Sequence, residues 1–229
     1  MKTVTLALLM VVVCAVLGYA DSACQTDTYD TYLGSGFSCG INSADFSNFT
    51  YSTSGTDHLP PSSITVNPIT TPNNPGFLFN APWGVTSGSS QDSILGFTIT
   101  SSAPITDLTL RMFGAQVQGT GLVTVGEDYC LGDTFSDGCA SGIEGNLSTF
   151  LSSSGSKLSD SATFSGVKEI DIKDSIELLG GSNGFAVLSG VQNQFSQSGG
   201  GTVPEPGSIL LFGSGVLCAA GVIRRKLNL

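Results

Sequence analysis

Basic residues are scarce in this chain of 229 residues, which has eight Lys and Arg against 18 Asp and Glu and a formal net charge of −10 at pH 7. The deficit is larger between residue 21 and about residue 200, where 17 acids meet four bases and the difference is −13. Proteins that bind nucleic acid through a basic face need the opposite balance. We therefore expect no nucleic-acid partner. The composition suits solubility, surface display and contact with divalent cations.

Histidine and tryptophan occur once each. His58 lies in Thr56-Asp57-His58-Leu59-Pro60, beside a turn signal, and no Gly-x-Ser-x-Gly pattern accompanies it. A Ser-His-Asp hydrolase is therefore not indicated. One histidine cannot make a histidine-rich metal site either. We expect an exposed loop histidine and no catalytic residues.

Paired carboxylates are the one catalytic arrangement that this composition leaves open, because glycoside hydrolysis needs only two of them at a set separation. Glu127, Asp128, Glu144 and Glu169 could supply a pair, but no sequence pattern shows that they converge. A glycosidase cleft also usually has aromatic platforms, and Trp83 is the sole tryptophan. A secreted carbohydrate-active enzyme is thus the alternative hypothesis, and a non-catalytic protein is the main one.

Long uncharged runs lie at the two ends of the chain. After Lys2, residues 3–20 carry no charge, are rich in Leu and Val, and end in Gly18-Tyr19-Ala20. Small residues at the third and first positions before a cut are typical of a secretory signal peptide. We predict a signal peptide over residues 1–20 and a mature chain from about Asp21. A lipoprotein alternative would use Cys24, but Asp21 stands where an apolar residue is expected.

The second uncharged run extends from Gly207 to Ile223, and its 17 residues would rise about 25 Å as a helix. That is near the lower limit for crossing a hydrocarbon core of about 30 Å. Arg224, Arg225 and Lys226 follow directly, and basic residues favour the cytoplasmic side. We predict a transmembrane helix over 207–223 with its basic end inside. A buried helix of a soluble domain is the alternative.

Residues 203–229 resemble the PEP-CTERM sorting signal of Gram-negative bacteria. Pro204-Glu205-Pro206 matches the tripeptide that names the signal, and the apolar span and basic end follow in the same order. The resemblance implies sorting by an exosortase, a membrane-embedded cysteine protease, after passage through the export translocon. It implies a precursor held in the inner membrane by its C-terminal helix, then the cell surface or extracellular matrix. Such systems accompany exopolysaccharide and biofilm genes.

Four cysteines fall in the expected mature chain: Cys24, Cys39, Cys130 and Cys139. An even number in an exported chain indicates two disulfides. Four cysteines allow three pairings, and proximity favours Cys24–Cys39 and Cys130–Cys139. A four-cysteine metal site is the alternative, although the spacings lack the close pairs typical of zinc ligands.

Acidic residues flank the second cysteine pair, namely Glu127, Asp128, Asp133 and Asp137. Calcium prefers several oxygen ligands on a flexible loop, so these four are its candidate ligands. The register and closing Glu of an EF-hand are missing. A solvated acidic loop is the simpler interpretation, and no cofactor other than calcium is suggested.

Period-two alternation of apolar residues indicates strands with one wet face, as in Leu95, Phe97 and Ile99. Turn signals rich in Pro, Gly, Asn and Ser separate the strands, and no convincing amphipathic helix occurs. The pattern predicts an all-β chain: a single antiparallel β-sandwich or jelly-roll over residues 21–195. A Gly/Ser linker follows over 196–202. Other predicted strands are Phe46–Tyr51, Ile64–Ile69, Gly76–Phe79, 108–112, 123–125, Ile143–Leu151, Ala162–Phe164, 170–172 and 185–191.

The sequence therefore predicts a non-catalytic exported protein of the cell surface or extracellular matrix, associated with exopolysaccharide and biofilm. The sorting signal predicts where the protein goes, and it does not predict the activity of the β-sandwich.

Overall fold

The computed structural model describes residues 22–198. The predicted signal peptide, the predicted transmembrane helix and the sorting motif lie outside these residues. The last strand runs to Gln197, so it continues two residues beyond the predicted domain end at 195.

Strands dominate the described part of the chain, and the predicted antiparallel β-sandwich is confirmed. The longest strands are predicted from the sequence only as short pieces, because polar residues interrupt the alternation of apolar residues along them. The strands are β1 (Asp27–Thr28), β2 (Ser38–Ile41), β3 (Ala44–Gly55), β4 (Thr65–Ile69), β5 (Gly76–Thr86), β6 (Ser90–Phe113), β7 (Gln116–Gln118), β8 (Leu122–Leu131), β9 (Ile143–Ser152), β10 (Gly155–Lys157), β11 (Ser159–Leu179) and β12 (Phe185–Gln197).

Two long strands, β6 and β11, pair with each other along most of their length and contribute to both sheets. The first half of β6 pairs with β3, and its second half pairs with β12. The second half of β11 pairs with β8. The first sheet therefore contains β2, β3, β8, β9 and β10, and the second contains β1, β4, β5, β7 and β12. Register shifts flank Val167, where the β6–β11 ladder passes from one sheet to the other.

The core between the sheets is rich in phenylalanine, because alternate residues of each strand point inward. Phe46 and Phe97 come from the first sheet, and Phe77 and Phe195 come from the second; all four are almost completely buried. The ring centroids of Phe46 and Phe77 are 4.6 Å apart. Aromatic pairs across the two layers thus join the sheets.

The N-terminal segment covers one end of this core. Helix α1 (Tyr29–Tyr32) buries Tyr29 and Tyr32 against the phenylalanines. Two 3-10 helices, Pro61–Ser63 and Phe135–Asp137, lie in loops. No helix among residues 22–198 has the length and apolar character needed to cross a membrane.

Both disulfides join the cysteines that are close in sequence. Cys24 is bonded to Cys39 with a Cα–Cα distance of 4.8 Å, and Cys130 is bonded to Cys139 at 5.8 Å. The first bond ties the segment before α1 to β2. The second closes a loop after β8.

Replacing Cys24 and Cys39 together by serine should lower the free energy of unfolding by about 3 kcal/mol, because the open chain gains loop entropy. Urea unfolding monitored by the fluorescence of Trp83, the single buried tryptophan, measures this loss. The Cys130/Cys139 double serine variant should lose less, since its loop is shorter. Free thiols at Cys24, Cys39, Cys130 and Cys139 in unfolded, unreduced protein, located by alkylation and peptide mass spectrometry, would contradict both disulfides.

Candidate functional site: a polar groove and a buried carboxyl cluster

A groove of about 570 Å³ lies on the outer face of the first sheet. Strands β3, β6 and β11 form its floor, and the loop after β8 forms one wall. Because side chains alternate across a strand, polar outward residues of these strands line the groove. Among them are Asn48, Thr50, Thr98, Asp171 and Lys173.

A chain of hydrogen bonds crosses the groove at one end. Asn48 Nδ2 donates to Thr98 Oγ1 at 3.2 Å, and Thr98 Oγ1 donates to Asp171 Oδ1 at 2.8 Å. The other oxygen of Asp171 accepts the backbone N–H of Phe135 at 2.9 Å. Three strands and the loop are thereby joined by side chains that also face the groove.

The loop wall is held by Asp133 and by the Cys130–Cys139 disulfide. Asp133 accepts hydrogen bonds from the backbone N–H groups of Thr134 and Ser141, both at 2.9 Å. These bonds, that from Ser141 first, lower the pKa of Asp133. The loop therefore lies over the sheet as a fixed wall, with the half-buried ring of Phe135 beside the groove.

The groove floor depends on an irregularity in β3. The register with β6 shifts between Ser47 and Thr50, and Asn48 adopts a positive φ of 54°. Behind the floor, the buried Tyr29 hydroxyl donates to the carbonyls of Thr50 and Gly96 at 3.1 and 3.0 Å. Gly96 has no room for a side chain, because a Cβ there would lie 2.4 Å from Thr50 Oγ1.

A cluster of three polar side chains lies in the core behind the same sheet. Glu127 and Asp174 are direct cross-strand partners on β8 and β11, and Asn193 reaches them from β12 of the second sheet. None of the three has exposed surface. Asn193 Nδ2 lies 2.6 Å from Glu127 Oε2 and 2.9 Å from Asp174 Oδ2. The cluster is thus a polar link between the two sheets.

Burial dominates the electrostatics of this cluster. It raises the pKa of Glu127 well above the usual range of a carboxyl, and the neighbouring Asp174 raises it further. Burial also raises the pKa of Asp174 to about 7, although the hydrogen bond from Asn193 opposes the shift. Two adjacent carboxyls in a low-dielectric interior cannot both ionise cheaply. Glu127 therefore keeps its proton near neutral pH, and the pair carries at most one negative charge.

The four acidic residues considered for calcium are not brought together. Glu127 points into the core and Asp128 points to the outer face of the same strand. Asp133 is engaged by loop hydrogen bonds, and Asp137 is exposed. Within residues 22–198, no three acidic, histidine or cysteine side chains are arranged to hold a metal ion. Glu127 and Asp128 are neighbours on one strand and therefore face opposite ways.

The carboxylates considered for catalysis are also dispersed. Glu127 has no exposed surface, so a polysaccharide cannot touch it. Glu144 pairs with Cys130 in register and is exposed, whereas Glu169 lies at the bend of β11. His58 is exposed in the loop after β3, as expected. The groove residues Asn48, Thr98 and Asp171 were missed, although they occupy outward positions of predicted strands.

The buried pair predicts that stability falls as pH rises. The folded protein holds Asp174 protonated up to about pH 7, whereas the unfolded chain ionises it near pH 4. The stabilising contribution is therefore full below about pH 4 and is lost as the pH rises through about 7.

Urea unfolding of the Asp174→Asn variant should show a weaker fall in the free energy of unfolding between pH 5 and pH 8 than the natural chain. Glu177→Gln, an exposed change on the same strand, is the control. Equal slopes for the natural chain and Asp174→Asn would contradict the assignment.

Comparison with known proteins matches the C-terminal end of the chain. Residues 202–226 match the family model described as the PEP-CTERM protein-sorting motif. No curated protein matches the chain.

Two of the solved structures that match part of the chain have the following identities and coverage. One is TmCBM61 in complex with β-1,4-galactotriose, which is 11% identical with a TM-score of 0.32; the match covers 62% of this chain and 86% of that one. The other is the enzymatically active domain of bacteriophage CBA120 tailspike protein 4, at 18% identity and a TM-score of 0.27. That match covers 64% of this chain and 19% of the tailspike chain. At these TM-scores neither similarity supports an argument about function.

The sorting motif has the position and the parts that the sequence led us to expect: Pro204-Glu205-Pro206, the apolar span and the basic end. Such a signal marks an exported protein that is handled by an exosortase. The chain therefore carries a PEP-CTERM protein-sorting motif at residues 202–226, after the antiparallel β-sandwich of the described residues 22–198.

Proposed function

We propose that the chain is a non-catalytic protein of the cell surface or extracellular matrix, and that its groove contacts exopolysaccharide in a biofilm. The observation that carries the proposal is the groove itself, which lies on a sheet and presents hydroxyl, amide and carboxylate groups beside apolar surface from Ile94 and Phe135. Sugars are recognised by such groups when they are held in fixed positions. The sorting motif supports an exported protein, and contact with polysaccharide outside the cell is part of the proposal.

The arrangement of the acidic residues supports a binding role rather than hydrolysis. A hydrolase would need two carboxyl groups facing one cleft at a separation of about 5 to 9.5 Å. In the groove, Asp171 has both oxygens occupied by hydrogen bonds to Thr98 and Phe135. Glu127, the most perturbed carboxyl, lies on the inner side of the sheet. Groove residues thus have the chemistry of contact surfaces and not of an acid–base pair.

A blocking substitution in the groove tests this proposal. Ser52→Tyr adds a ring at an exposed groove position of β3 and should weaken binding about tenfold or more, since sugar hydroxyls lose several hydrogen bonds of about 1 kcal/mol each. Affinity electrophoresis of the purified full-length chain in gels that contain the producing organism's exopolysaccharide, or defined neutral polysaccharides, measures the change. Thr163→Tyr, an exposed position of β11 outside the groove, is the matched control.

Two results would contradict the proposal. One is that the natural chain is not retarded by any of these polysaccharides. The other is that Ser52→Tyr and Thr163→Tyr are retarded as strongly as the natural chain. Release of reducing ends from a polysaccharide by the natural chain would instead favour the carbohydrate-active enzyme.

A further inference from the structure

The outer face of the second sheet differs in chemistry from the groove face. We call it the amide face and define it by Asn67, Asn80, Gln192, Gln194 and Arg111. Asn67 Nδ2 donates to Asn80 Oδ1 at 2.9 Å, and Gln192 Nε2 donates to Gln194 Oε1. These amides are therefore fixed in position on paired strands, and they are neutral.

Acidic residues are unevenly divided between the two outer faces. The groove face carries one cation, Lys173, among seven carboxylates, whereas Asp107 is the acid on the amide face, on the same strand as Arg111. The sheets are about 10 Å apart at their backbones, and charges farther apart than about 8 to 10 Å are largely screened at physiological ionic strength. An anion at the amide face therefore meets little of the repulsion that the net charge suggests. The seven carboxylates belong to Asp45, Asp92, Asp128, Glu144, Glu169, Asp171 and Glu177.

Arg111 is exposed, and its guanidinium makes no hydrogen bond or ion pair with any residue of the part 22–198. Its cross-strand partners are Gln192 on β12 and Ser159 on β11. The strands are about 4.8 Å apart, so an amide and a hydroxyl lie on either side of the guanidinium. Two residues along the same strand, Phe113 is 43% exposed.

These neighbours point to one class of partner. A guanidinium binds a carboxylate through two parallel hydrogen bonds. The adjacent amide and hydroxyl suit ring hydroxyl groups, and an exposed aromatic ring suits the apolar face of a sugar. We propose that the amide face binds a uronate-bearing polysaccharide, with Arg111 pairing the uronate carboxylate. This surface is separate from the groove, so the inference goes beyond the function proposed above.

The test uses polygalacturonate and its fully methyl-esterified form as probes, with the full-length chain in affinity electrophoresis at low and physiological salt. Arg111→Gln should weaken binding to polygalacturonate about tenfold or more, because a charge-assisted pair is lost. Lys168→Gln removes an exposed cation at the bend of β11 and should change binding less than about twofold. Arg111→Lys keeps the positive charge but loses the planar guanidinium that makes two parallel hydrogen bonds. Its binding to polygalacturonate should lie between those of the other two variants.

The esterified polymer should bind weakly to every variant, since it offers no carboxylate. Ser52→Tyr should keep its binding to polygalacturonate, because the groove is on the other face. The inference is overturned if the natural chain does not bind polygalacturonate, if Arg111→Gln matches Lys168→Gln, or if Ser52→Tyr alone abolishes binding. In the last case the groove would be the acidic-polysaccharide site. Loss of neutral-polysaccharide binding by Ser52→Tyr, with no effect of Arg111→Gln on either polymer, would leave the groove proposal standing without this one.

Discussion

The pairing of β6 with β11 is the constraint on which the rest of the structure depends. These strands have 24 and 21 residues, several times the length of an average strand, and each contributes to both sheets. Their common bend brings the two sheets face to face, so the position of the aromatic core follows from one ladder. The groove face and the amide face are likewise consecutive stretches of the same two strands, seen on opposite sides of the molecule.

The buried cluster of Glu127, Asp174 and Asn193 limits how this ladder can pack. A buried polar group is costly unless it is hydrogen-bonded, and Asn193 can reach both carboxyls only if β12 keeps its register with β5 and β6. Slippage by one residue would turn Asn193 outward and leave the pair without its donor. The cluster therefore favours one register of β12 in the sandwich. Because the adjacent carboxyls titrate, the stability of that register depends on pH.

Much of the architecture could be predicted from the alternation of apolar residues along the chain. The burial of two carboxyls could have been predicted from the same alternation. Alternation at Leu95, Phe97 and Ile99 identified the first half of β6, but Ser101, Ser102 and Pro104 in the bend hid its continuation. The inward phase of Val123 and Val125 continues to Glu127, and that of Ile170 and Ile172 continues to Asp174. Both carboxyls therefore carried a burial signal that their charge concealed. The groove could not be predicted, because it needs the β3 irregularity and the loop wall, which depend on contacts distant in sequence.

We propose that the sorting motif is removed after export, and the state of the C-terminus tests this proposal most directly. Intact mass spectrometry of the chain recovered from the envelope and from the medium measures that state. We predict a mature C-terminus near Pro204-Glu205-Pro206, with the apolar span and Arg224, Arg225 and Lys226 absent. Recovery of the chain only in the envelope fraction, with Leu229 still in place, would contradict this proposal and indicate a permanently tethered protein.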